Sequence, residues 1–102
     1  MNWERIFNIC MDTPIGKRYG TMSVKKQDNI LDGFLDILCE KEHFCGEIDT
    51  AGNCRIIGKI VTLMRTMAYE ASGKITPEGV CLSLISGEFK YSLTGNAEAD
   101  CV

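Results

Sequence analysis

Phe44-Cys45-Gly46-Glu47-Ile48-Asp49-Thr50-Ala51-Gly52-Asn53-Cys54-Arg55-Ile56-Ile57-Gly58-Lys59-Ile60-Val61-Thr62 carries one motif twice. The motif is an apolar residue, any residue, glycine, any residue, an apolar residue. Phe44, Gly46 and Ile48 make the first copy; Ile56, Gly58 and Ile60 make the second. Gly52-Asn53 between them is a turn signal. Apolar and polar residues alternate on either side of the turn, so the stretch reads as two strands of a hairpin.

The same alternation extends outward in both directions. It predicts seven strands, at about 15–24, 30–38, 43–49, 54–63, 66–73, 79–86 and 88–97. Asp28-Asn29, Glu40-Lys41-Glu42, Thr50 to Asn53, Met64-Arg65, Thr76-Pro77-Glu78 and Ser86-Gly87 separate them. The Met64-Arg65 boundary is the least marked, and the strands around it can run together. Connections this short join neighbours antiparallel, because a parallel crossover needs a dozen or more residues. Gly20, Gly33, Gly46, Gly58, Ala71 and Gly95 fall at matching positions, the first five separated by 13, 13, 12 and 13 residues. Small residues on the apolar face let strands coil, as barrel closure requires. The fold expected is therefore all-β: an antiparallel meander closed into a barrel of seven or eight strands, which removes exposed edges and is preferred over a flat sandwich because a sandwich would not need a small residue at one height in most strands.

The start of the chain reads differently. Trp3, Ile6, Phe7 and Cys10 are spaced as one helical face, with Asn2 as N-cap and Pro14 beyond the end. A short N-terminal α-helix over residues 1–12 is expected to cap one barrel mouth, followed by the barrel over 13–97 and a tail over 98–102, all within one domain.

The run Thr13-Pro14-Ile15-Gly16-Lys17-Arg18-Tyr19-Gly20-Thr21-Met22 resembles the opening of small uncharacterised bacterial β-barrel proteins that begin with a T/S-P-x-G segment. Those proteins continue with L-x-G-x-L strands, as Leu31 to Leu35 and Phe44 to Ile48 do here. The resemblance spans residues 13 to 97. It implies a barrel and brings no active-site residue.

Composition narrows the function classes. The net charge of −3 gives no general attraction to phosphate or anionic lipid. Lys17, Arg18, Lys25, Lys26 and Tyr19 form a modest basic region, too small in an acidic chain to favour nucleic acid. No apolar run is long enough for a membrane helix. The opening residues lack the pattern of a signal peptide. The expected compartment is the cytoplasm, with the six cysteines mostly reduced.

Cys39, His43, Cys45 and Cys54 invite a metal reading, but they lack paired C-x2-C knuckles, and Cys45 and Cys54 are expected on opposite faces. No metal or cofactor is expected. His43, the only histidine, falls at a predicted turn beside Glu42 and reads as a solvated loop residue. Asp32, Asp36, Glu47, Asp49 and Glu70 line an outer face interleaved with Arg55 and Lys59, an arrangement of solvated charges without a cleft. No catalytic set is expected.

Two groups of residues bear on binding. Tyr19, Phe34, Cys45, Ile57, Val61, Cys81 and Ile85 are apolar at outward positions, and if contiguous they form an interface, most simply with a second copy of the chain. Phe44, Tyr69, Phe89 and Tyr91 point inward and would line any small apolar ligand held in the barrel. The expected function is thus a non-catalytic interaction module, with an apolar-ligand binder as the alternative and an enzyme without a recognisable motif as the third reading.

Overall fold

The computed structural model describes residues 2–13, 16–37, 40–61 and 66–97, with the backbone alone for Glu40 and Val61. Eight strands follow one another: β1 (Trp3–Thr13), β2 (Gly16–Gln27), β3 (Ile30–Ile37), β4 (Glu40–Ile48), β5 (Asn53–Val61), β6 (Thr66–Ile75), β7 (Gly79–Ser86) and β8 (Phe89–Ala97). Each pairs antiparallel with the next, and β1 also pairs with β8, which closes the barrel. Val61 pairs with Thr66, so β5 and β6 are distinct strands. The Met64-Arg65 boundary itself, the Pro14-Ile15 part of the opening run and the 98–102 tail lie outside the described residues.

The N-terminal helix expectation is wrong. Residues 3–13 form β1, the strand that seals the barrel between β2 and β8. Phe7, Ile9 and Met11 are buried, while Ile6, placed inward by the helical reading, is exposed. A ten-residue window accommodates both periods: 3, 6, 7, 10 for a helix and 7, 9, 11 for a strand. An isolated helix of that length is marginal, whereas a strand here gains ladders on both edges and removes the open edges of β2 and β8. Asn2 is no helix cap. Its Oδ1 accepts from the Asp28 N–H at 2.8 Å, pinning the start of β1 to the β2–β3 turn.

The turns form where their residues allow the needed backbone. Asp28 adopts a positive φ of 58° in the β2–β3 turn, a conformation aspartate tolerates better than most residues. Gly87 takes φ 60° between β7 and β8. At the β4–β5 turn, Asp49 Oδ1 accepts from the N–H groups of Ala51 (2.8 Å) and Asn53 (3.0 Å).

Inside, Phe7, Met11, Met22, Leu31, Phe44 and Ile56 are among the fully buried side chains. Fully burying a ring the size of Phe44 contributes roughly 2–3 kcal/mol. The small residues do face inward as expected, but they do not share one level. Gly33 and Gly58 lie in the row Val24–Gly33–Phe44–Gly58–Tyr69. Gly46 and Ala71 flank Ile56 one row away, and Gly20 and Gly95 flank Ile9 in a third. Each stands opposite a bulky residue rather than another glycine, because strand stagger in a closed barrel shifts successive strands along the axis. A side chain therefore crosses above each gap, and large and small residues interdigitate.

Phe89 departs from its expected place. It shares the inward phase of Tyr91 and Leu93, but it lies at the last pair of the β7–β8 ladder, opposite Ser86. There it is 43% exposed at the barrel rim, its ring stacked on Tyr91 with centroids 6.3 Å apart. Phase sets which face a residue takes; depth along the axis sets whether anything covers it.

Candidate functional site: the outer face of β4 to β7

One cross-strand row crosses the outer surface: Lys25–Asp32–Cys45–Ile57–Glu70–Ile85–Lys90. Adjacent members sit on strands about 4.8 Å apart. Ile57 and Ile85 are 56% and 52% exposed and are separated in the row by Glu70 alone. Glu70 Oε1 accepts from Arg55 Nε at 3.1 Å, a surface pair that contributes little stability but holds the carboxylate along β5. Cys45, on the other side of Ile57, is exposed.

The surface is indented here. The β4–β5 ladder ends at Phe44–Gly58, although both strands continue past that point. A groove of about 840 Å³ opens over this divergence, lined among others by His43, Cys45, Ile57, Lys59, Glu70 and Ile85. Phe44, Gly58 and Tyr69 also line it. Burial, with the Cys45 thiol adding to it, pushes the Tyr69 hydroxyl well above the usual phenol range. It stays protonated throughout the physiological range.

Next to the groove stands a second cluster. His43 lies in strand β4, not in a turn, because β4 begins three residues earlier than the alternation indicated. Its Nε2 bonds to Asp32 Oδ1, diagonally across the β3–β4 ladder. A carboxylate only accepts, so Nε2 carries the proton. The imidazole meets Phe34 edge-on at 5.4 Å between centroids, and Lys41 Nζ sits 5.0 Å from the Phe34 ring centre. Phe34, expected as part of an apolar stripe, is thus flanked by a histidine and a lysine.

The predicted stripe is brought together only in part. Cys45, Ile57 and Ile85 share the row, and Phe34 lies beside it through His43. Tyr19 and Cys81 belong to another row, Tyr19–Cys10–Thr94–Cys81, on the side formed by β2, β1, β8 and β7. The Val61 side chain lies outside the described residues. Of the predicted interior residues, Phe44, Tyr69 and Tyr91 are buried in the core, and Phe89 is not.

Cys54 faces the core, whereas Cys45 and His43 face outward. Burial, then the nearby Asp49 charge, raises the Cys54 thiol to about 11. Among the described residues no group of three or more histidine, cysteine or carboxylate side chains is arranged to hold a metal ion; Cys39 lies outside them. The basic residues of β2 are interleaved with acids: Lys25 pairs with both Glu4 and Asp32, and Lys17 with Asp12. Among the described residues no helix is long and apolar enough to cross a membrane.

Sequence reasoning missed the Asp32–His43 contact and the whole outer face of β1. The first needs the β3–β4 register. The second was signalled by the alternation of Phe7, Ile9 and Met11 with Asn8, Cys10 and Asp12. The chain matches no family model, no curated protein and no solved structure.

Proposed function

We propose that this barrel is a non-catalytic protein-interaction module that pairs with a second copy of itself through the outer face of β4 to β7. The observation that carries the reading is the Cys45–Ile57–Glu70–Ile85 row, which sets two half-exposed isoleucines beside an open groove. A two-fold interface must be self-complementary. Charges of both signs around the row favour it, with Arg55, Lys59 and Lys90 set against Asp32, while Glu70 stands between the two isoleucines and is tied to Arg55. Apolar residues at the centre and charges at the edge are the usual anatomy of such a contact. The four described free thiols, two of them exposed, fit a reducing, cytoplasmic setting.

The alternative, an apolar ligand within the barrel, has less support. Phe7, Phe44, Tyr69 and Tyr91 occupy the interior, and a ligand would have to displace them. Interleaved carboxylates beside Lys17 and Lys25 likewise weigh against a phosphate backbone as partner.

Sedimentation equilibrium over a concentration series tests the reading. Wild type should show a monomer–dimer equilibrium, Ile57→Asp should be monomeric, and Ile30→Asp, an exposed site outside the row, should behave as wild type. A wild-type monomer at all concentrations removes the proposal.

A further inference from the structure

The opposite side of the barrel differs in kind. Every described strand except β7 carries charged residues, yet two adjoining rows across β2, β1 and β8 carry none. These are Tyr19–Cys10–Thr94 and Thr21–Asn8–Asn96. A groove of about 450 Å³ lies over them, lined among others by Asn8, Tyr19, Thr94 and Asn96. Tyr19 is 74% exposed, the most of any large apolar side chain among the described residues. Asn8 and Asn96 stand directly opposite each other. Among the described residues, neither amide, nor the Thr94 hydroxyl, has a hydrogen-bond partner.

We propose that this face binds a neutral carbohydrate, with Tyr19 as the platform for one sugar ring and Asn8, Thr94 and Asn96 as its hydrogen-bonding partners. Each asparagine amide offers donors and an acceptor side by side, matching the paired hydroxyls of a pyranose. Tyr19 presents a flat apolar surface with a polar tip, suited to the C–H face of the same ring. A site without charges avoids the desolvation cost that an ion would meet under a neutral ligand. The same absence disfavours nucleic acid, which needs cations against phosphate. The scarcity of apolar side chains disfavours a protein interface core. The site shares no residue with the β4–β7 face, so the two proposals stand or fall separately.

The test is a titration of isotope-labelled protein with cellohexaose, maltohexaose and chitohexaose in turn, followed by amide chemical shifts. At least one should give saturable shifts centred on Asn8, Tyr19, Thr94 and Asn96, with affinity lost by about tenfold or more in Tyr19→Ala. Asn96→Ala serves as the second variant should Tyr19→Ala fail to fold, and Ile57→Asp should bind as wild type. No saturable shift with any of the three sugars at about 10 mM, or shifts confined to the β4–β7 face, overturns the proposal.

Discussion

The ring of Tyr69 lies across Gly58 of the neighbouring strand, its hydroxyl oxygen 2.7 Å from where a glycine-replacing Cβ would stand. Phe44 does the same to Gly33, its Cζ 3.0 Å from the corresponding point. Along the row Gly33–Phe44–Gly58–Tyr69, each glycine is the seat of the ring on the next strand. At Gly20, Gly46 and Gly95 the nearest obstacle is instead a backbone carbonyl of the neighbouring strand, so close strand approach also requires small residues on the apolar face.

The two seats should respond differently to a methyl group. At Gly58 the nearest obstacles are the hydroxyl and ring of Tyr69; at Gly33 the nearest is the Ser23 carbonyl oxygen, in the backbone of β2. Gly58→Ala should cost about 1–3 kcal/mol, and much of that should return in the Gly58→Ala/Tyr69→Leu pair. Gly33→Ala should cost more, and Phe44→Leu should not relieve it. Urea denaturation of the double-mutant cycles checks this, and equal rescue at both sites would contradict it.

Ile6 and Ile9 separate the strand from the helix. Ile6 is 49% exposed and Ile9 3%. Ile6→Asp should leave the protein folded, with stability within about 0.5 kcal/mol of wild type. Ile9→Asp places a charge in the core and should abolish cooperative unfolding. The reverse ranking, read by circular dichroism and urea titration, would restore the helix.

Ser86 is the buried polar side chain among the described residues, and its Oγ donates to the Ala68 carbonyl at 2.7 Å. The β6–β7 ladder has already ended at Glu70–Ile85, so this bond continues the seam. Ser86→Ala leaves that carbonyl without its donor and should cost about 1–2 kcal/mol. Ser86→Thr should keep part of the loss at bay, and no change in either variant would show that the bond contributes nothing.

Acid should weaken the β4–β5 turn. Desolvation opposes ionisation of Asp49, but hydrogen bonds from the Asn53 side chain and from the Asn53, Ala51 and Gly52 amides outweigh it, holding the carboxyl below its ordinary 3.8. A depressed folded-state value contributes stability that is full above the unfolded pKa and is lost as pH falls through the folded one. Wild type should therefore lose more stability than Asp49→Ala as pH drops below 3.8. Parallel slopes for the two proteins between pH 4 and pH 2, approximately, would contradict this.

Thiol chemistry reads the faces directly. Cys45 and Cys81 are exposed, and Cys54 is buried with its thiol near 11. At neutral pH a maleimide should modify Cys45 and Cys81 at least about tenfold faster than Cys54, since the thiolate is the reactive form. Peptide mapping by mass spectrometry gives the order, and rapid labelling of Cys54 would put β5 the wrong way round.

Seven strands, the inward placing of the small residues and that of Phe44, Tyr69 and Tyr91 were legible in the chain, because a period of two assigns each residue to a face before anything packs against it. The candidate faces were legible only residue by residue. Which outward residues become neighbours depends on register between strands, and that is why Ile57 and Ile85 meet while Tyr19 lies elsewhere. Closure itself was expected from the recurring small residues, but the strand that completes it was decided by the tertiary structure alone: residues 3–13 satisfy either period, and only the unpaired edges of β2 and β8, brought together by the other strands, select the extended form.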